Sequence, residues 1–226
     1  MLSDTMDAAA RNITRKGILF VIMGPAGSGK STFCDRLVKE FPEALQYSTS
    51  VTSRPPRPNE VPGKSYHFIS REEFISRREK GEFFEWEETH GNLYGTPQSS
   101  LIKGIESGKD LLFQIDIRGA LNFKRQFPEN AVTIFTVPPS FAELKQRLLA
   151  RGTVDPAELK RRFSTAQEEY RTLLKLHGAI GQIDYLVVNR DLDSTYEQVR
   201  AIVVAERAKY HRMDKDSVEQ FCEVGL

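Results

Sequence analysis

Apolar residues in this chain gather into a few dense runs, separated by stretches in which they recur every third or fourth position. The dense runs fall at residues 18–23, 111–117, 132–137 and 185–188. Runs of this length predict strands covered on both faces. Between them the spacing is helical. Phe33, Leu37, Val38 and Phe41 share one helical face, and Pro42 closes that helix. Ser140 with Glu143 forms a capping box for a helix through Leu149, and Asp155-Pro156 followed by Glu158 opens a longer one to about Leu176. A last helix covers roughly 192–208, and the polar tail after it is expected to be loosely held. Strands alternating with helices predict an α/β domain with a central parallel sheet.

The alternation breaks between residues 46 and 96. Short strand-like pieces at 66–69, 82–87 and 92–96 surround one helix, opened by the box Ser70 to Glu73 and stopped at Gly81. This predicts a small, mostly β insertion with its own binding chemistry. Inside it, Arg54-Pro55-Pro56-Arg57-Pro58 carries two guanidinium groups on a proline-stiffened segment, so a phosphate could be met with little loss of entropy.

Directly after the first apolar run stands Gly24-Pro25-Ala26-Gly27-Ser28-Gly29-Lys30-Ser31, followed by Thr32. Glycines at these positions let successive backbone N–H groups turn onto phosphate oxygens. Lys30 adds a charge near the outer phosphates, Ser31 offers a hydroxyl to Mg²⁺, and the helix that follows points its positive end at the same anion. The motif predicts a nucleoside triphosphate site.

Composition narrows the remaining classes. Among 226 residues, 32 Lys and Arg stand against 31 Asp and Glu, a net charge of +1, so no global field calls for nucleic acid or a membrane surface. The two cysteines, Cys34 and Cys222, have neither disulfide-framework nor metal spacing, and residues 1–16 contain no stretch like a signal peptide. The expectation is a soluble cytoplasmic protein without nucleic-acid or membrane partners.

Several ordered motifs then carry a family resemblance. They are Ser50-x-Thr52-Ser53-Arg54-Pro55-Pro56-Arg57-Pro58, Gly63-x-x-Tyr66-His67-Phe68, Gly81-Glu82-Phe83-Phe84-Glu85-Trp86 and Gly91-Asn92-x-Tyr94-Gly95-Thr96. Further on come Ile115-Asp116-x-x-Gly119, Arg147-x-x-x-Arg151-Gly152-Thr153 and Val188-Asn189-x-Asp191. Together they resemble the guanylate kinase family over about residues 16–207. The resemblance implies a P-loop nucleoside monophosphate kinase fold: a domain over 16–208 with a GMP-binding insertion at about 49–97 and a helical lid at about 141–178, between an N-terminal extension (1–15) and a C-terminal tail (209–226).

The implied reaction moves the γ-phosphoryl of ATP to GMP or dGMP, giving ADP and GDP, with Mg²⁺ assisting. The phosphate-loop residues through Thr32, with Asn189 near the adenine, would hold ATP. Ser50, Arg54, Arg57, Tyr66, Glu85, Tyr94 and Thr96 would hold GMP. A carboxylate at Glu85 suits guanine because it accepts from both N1–H and the 2-amino group, whereas adenine presents a lone pair at N1. Lys30, Arg54, Arg151, Arg162 and Asp116 would carry catalysis, with Arg147 a further candidate, and Ser31 and Asp116 would serve the metal. Gln114 departs from the pattern, since family members usually carry an acid there, and Arg190 replaces another usual acid. A phosphopeptide-binding scaffold is disfavoured by the intact phosphate loop, a regulatory GTPase by the missing Asn-Lys-x-Asp signature, and an adenylate-type kinase by Arg54, Arg57 and Glu85. Oligomeric state stays open.

Overall fold

The computed structural model describes residues 14–58, 60–63, 66–89, 91–150 and 156–223. Its centre is β1 (Leu19–Met23), in which every residue is fully buried. It stands in a five-stranded sheet with β2 (Leu45–Tyr47), β7 (Asp110–Gln114), β8 (Ala131–Val137) and β9 (Tyr185–Val188), in the order β2-β7-β1-β8-β9 with every pairing parallel. Side chains of a strand alternate between faces. Phe20 and Ile22 accordingly pack with Phe33 and Leu37 of α1 (Lys30–Glu40) and Val199 and Val203 of α7 (Leu192–Arg207). Leu19, Val21 and Met23 pack with Leu101 of α3 (Gln98–Glu106) and Ala120 and Phe123 of α4 (Ile117–Gln126) on the other side. The chain leaves β1 for β2 and β7 on one flank and β8 and β9 on the other. The carboxyl end of β1 is therefore a topological switch point, where open parallel sheets bind ligands.

The insertion is a second sheet in the order β4-β3-β6-β5, built from β3 (Val51–Thr52), β4 (His67–Phe68), β5 (Phe83–Thr89) and β6 (Asn92–Pro97). Helix α2 (Arg71–Glu79) starts at the expected cap, Ser70 Oγ accepting from Glu73 N at 3.1 Å. Phe74 stacks on Phe83 at 4.4 Å in a small core with Val51 and Leu93. The β5–β6 register shifts between Phe83 and Glu85. A bulge there re-aims the strand, and its extra residue, Phe84, lies on Phe123 of the main core with ring centroids 4.4 Å apart. The helices α5 (Phe141–Leu149), capped by Ser140 as expected, and α6 (Pro156–Lys175) are joined through Leu144, Leu148 and Ala166.

Two expectations are corrected. The run at 111–117 is not one strand: β7 stops at Gln114, and Asp116 caps α4, its Oδ1 accepting from Gly119 N at 2.8 Å. The apolar residues Ile115 and Ile117 carry the pattern past a turn. The polar tail is not loosely held either. A 3₁₀ turn (Tyr210–Arg212) and helix α8 (Lys215–Glu223) follow α7. Buried Arg212 pairs with buried Glu206 at 2.8 Å, Arg15 bridges Met213, and Thr14 accepts from the Asp214 backbone N–H and donates its own N–H to the Ser217 hydroxyl. Arg15 also forks onto fully buried Asp110, with both bonds at 2.7 Å. Among the described residues, no helix is long and apolar enough to cross a membrane.

Candidate active site

The phosphate loop turns off the end of β1 where side chains have no room. A Cβ on Gly24, at φ 128°, would lie 2.1 Å from the Thr136 carbonyl oxygen, and one on Gly29, at φ 100°, would lie 2.4 Å from Asn189 Nδ2. Both positions need glycine for conformation and for space. Ser28 is buried and shares a hydrogen bond with Thr136 Oγ1 at 2.8 Å. Asn189, expected near the adenine, is also buried and donates to Ser28 O at 2.9 Å, so it braces the loop from below. Arg147 links α5 to the same place, binding Glu143 at 2.9 Å and Asn189 O at 3.0 Å. The Lys30 ammonium folds over the loop onto the carbonyls of Gly24 and Pro25. Ser31 and Thr32 are exposed at the start of α1. Ser31 Oγ donates to Gln114 Oε1 at 2.9 Å, Gln114 Nε2 to Tyr47 OH at 3.1 Å, and Tyr47 OH to Asp35 Oδ1 at 2.7 Å.

A cleft of about 900 Å³ opens from this loop to the second sheet. Lys30, Gln114 and Asp116 line one side, and Ser50, Tyr66, Glu85, Tyr94 and Thr96 line the other. Most of the expected acceptor residues are thus brought together. Glu85 sits beside Thr96, whose hydroxyl is 3.5 Å from Glu85 Oε1, and reaches toward the start of α4: a Cβ on Gly119 would come within 3.1 Å of Glu85 Oε2. Burial and then the nearby Asp116 charge push the Glu85 carboxyl up to about 7, against a lowering bond from Thr96.

The two arginines expected to hold GMP stand outside the cleft lining. Arg54 forms a two-pronged pair with Glu60, at 2.9 and 2.8 Å, and lies 5.6 Å over the Tyr66 ring. Arg57 is exposed and contributes its backbone N–H to Glu60 at 2.7 Å. Neither lines the cleft. Glu60, which sequence reasoning did not single out, is held down to about 2, chiefly by Arg54 and then by the Arg57 backbone. A carboxylate here fills the fork that a phosphate would take.

Glu169 of α6 is a second residue that the sequence did not single out. It is buried at 6 % exposure, lines the cleft, and its Oε2 has no hydrogen-bond partner. Burial pushes its carboxyl up to about 7, with Lys30 opposing and Asp116 adding. An acid three positions after buried Ala166, on the apolar face of the helix, was the available signal. Seven positions earlier on that face stands half-buried Arg162. Arg151, with Gly152 and Thr153, lies outside the described residues.

Because native Glu169 holds its proton to higher pH than an unfolded glutamate, its contribution to stability is present below about 4.5 and lost as pH rises through about 7. Glu169→Gln should therefore raise the melting temperature more at pH 8 than at pH 5. Thermal scans showing an equal shift at both would mean the carboxyl is paired.

As to metal, no group of three or more His, Cys, Asp or Glu among the described residues is arranged to hold an ion. Mg²⁺ at a phosphate loop needs only one or two protein oxygens, the phosphates supplying the others. The Ser31 hydroxyl, its proton already committed to Gln114, fits that need.

A family model described as "Guanylate kinase" matches residues 16–206. A guanylate kinase of Thermotoga maritima is 42% identical over 206 residues, covering 91% of this chain and 95% of that protein. One of Clostridioides difficile is 40% identical over 209 residues, covering 92% and 98%. A crystal structure of guanylate kinase from Anaplasma phagocytophilum superposes with a TM-score of 0.67 at 30% identity, covering 94% of this chain and 97% of that one.

Proposed function

The chain belongs to the guanylate kinase family and is a kinase that moves the γ-phosphoryl of ATP to GMP, and on that premise we propose how its residues divide the work. The observation that carries the reading is the cleft with the phosphate loop on one side and Glu85 with Thr96 on the other. ATP phosphates lie in the loop, exchanging the Gly24 and Pro25 carbonyls for phosphate oxygens at Lys30. Asn189 and Ser28 keep the loop's curvature, so its amides are aimed before the anion arrives. The guanine edge meets Glu85 in its ionised form, both oxygens accepting, with Thr96 and Ser50 toward O6 and N7. The GMP phosphate is taken by Tyr66, Tyr94 and the Arg54 fork, displacing Glu60, while Arg57 adds charge from the rim.

Phosphoryl transfer depends on positioning and charge neutralisation more than on a base. Lys30 and the lid arginines, Arg162 and Arg151, supply that charge, and Asp116 orients groups at the start of α4. Mg²⁺, when bound, neutralises phosphate oxygens, and Ser31 is the protein oxygen we assign to it. We assign dGMP as the second acceptor, because Glu85 and Thr96 read the base and not the sugar. The cytoplasm is the compartment we propose, on the two free thiols of buried Cys34 and exposed Cys222.

The test is a coupled ADP-release assay with ATP and, separately, GMP, dGMP, AMP, CMP and UMP. Turnover should be highest with GMP, then dGMP. Equal turnover of AMP would overturn the assignment of Glu85.

A further inference from the structure

We propose that Asp35, Tyr47 and Gln114 form a directional hydrogen-bond relay that turns the Ser31 proton away from the phosphate site, so that the Ser31 oxygen offers its lone pairs to a divalent cation. The proposal rests on the kinase reading for the identity of the nucleotide.

The direction follows from what each group can give. A carboxylate only accepts, so at 2.7 Å from Asp35 Oδ1 the Tyr47 hydroxyl is the donor. Burial and then the bond to Asp35 raise the Tyr47 phenol above its ordinary range, which keeps the proton on it. With its one proton used, the Tyr47 oxygen can only accept, and the group 3.1 Å away is the Gln114 amide nitrogen, a donor. That contact settles which end of the amide is which. The carbonyl end must then face Ser31, where it accepts the hydroxyl proton at 2.9 Å. Ser31 has one proton and two lone pairs, and the proton is now committed away from the loop. Hydrogen bonds in series polarise one another, so the fixed end at Asp35 is felt at Ser31.

Gln114 is suited to this relay because it donates at one end and accepts at the other. Asp35 is exposed on α1, three hydrogen bonds from Ser31, and does not line the cleft. It is a positioning residue, acting only through Tyr47 and Gln114. Without it, the Tyr47 hydroxyl is free to donate to Gln114. The amide then turns over, and its N–H₂ end occupies a Ser31 lone pair.

The test uses the 226-residue chain in four forms: wild type, Asp35→Ala, Asp35→Asn and, as a second break, Tyr47→Phe. ATP binding is measured calorimetrically without GMP, once with Mg²⁺ and once with chelator. In Asp35→Ala and Tyr47→Phe, the factor by which Mg²⁺ tightens ATP should fall about fivefold, the worth of one net hydrogen bond, while Mg²⁺-free affinity stays within about twofold. Asp35→Asn keeps an accepting oxygen and should retain the wild-type factor. In turnover, half-saturating Mg²⁺ should rise in Asp35→Ala with KM for GMP unchanged. An undiminished Mg²⁺ factor in Asp35→Ala, or an equal loss with and without Mg²⁺, overturns the relay. The functional reading is decided separately, by whether the wild type phosphorylates GMP.

Discussion

Lys30→Met lowers kcat on the order of a thousandfold, the loss expected when a major charge is removed from a phosphoryl-transfer site, and leaves GMP affinity within about threefold. The first half follows from the place of the ammonium. It lies over the phosphate loop on the carbonyls of Gly24 and Pro25, where its charge is felt by whatever anion the loop holds. The second half follows from the division of the cleft. Ser50, Tyr66, Glu85, Tyr94 and Thr96 belong to, or adjoin, the second sheet and lie on the side opposite Lys30. Single-turnover rates and GMP calorimetry on the same variant check both. Loss of GMP binding together with turnover would show that the two subsites are not separable.

The second large effect is expected at Glu85. Guanine presents two adjacent donors, and an amide in place of the carboxylate meets one of them with a donor of its own. Sites built to pair a substrate's polar groups discriminate strongly when one is left unpaired. Glu85→Gln should reduce kcat/KM for GMP roughly a thousandfold. The wild-type pH profile carries the sign. With the carboxyl raised to about 7, the free enzyme is protonated at lower pH and presents a donor where an acceptor is needed. Therefore kcat/KM for GMP should climb about tenfold per pH unit up to about 7 and level off above it, since this ratio reports the free enzyme. Glu169 titrates in the same range. Its Gln variant should keep the step, and the Glu85→Gln variant should lose it. A step that persists in Glu85→Gln places the titration elsewhere.

What could be read from the sequence was what the chain encodes locally. The phosphate loop is eight consecutive residues, and the caps at Ser70 and Ser140 each span three positions, so pattern and structure coincide there. The apolar runs became β1, β7, β8 and β9 for the same reason, the second of them only as far as Gln114. Other elements owe their form to partners far along the chain. Strand β2 has three residues, of which only Leu45 is buried, and it is a strand because it pairs with β7. The tail looked solvated because its anchors are charged: Arg212 is held by Glu206 inside the protein, where a polar residue ordinarily signals surface. The site divides similarly. Glu85 and Thr96 stand on paired strands and came with a motif, whereas Ser31 meets Gln114 across 83 positions and Glu169 reaches the cleft from α6. Glu60 was close enough to Arg54 to be seen, but two arginines on a proline-rich segment suggested a phosphate rather than an acid already in place.

The seam between residues 14–15 and 213–217 joins partners as far as 203 positions apart. Contacts of such sequence separation repay the entropy of closing the chain only after the sheet between them exists, so they are expected to form after the folding nucleus. Weakening the seam would then leave the speed of refolding as it was and hasten unfolding, as for any interaction made after the barrier is crossed. The seam thus acts as a clasp on the finished fold: it governs how long an assembled molecule lasts, not how fast it forms.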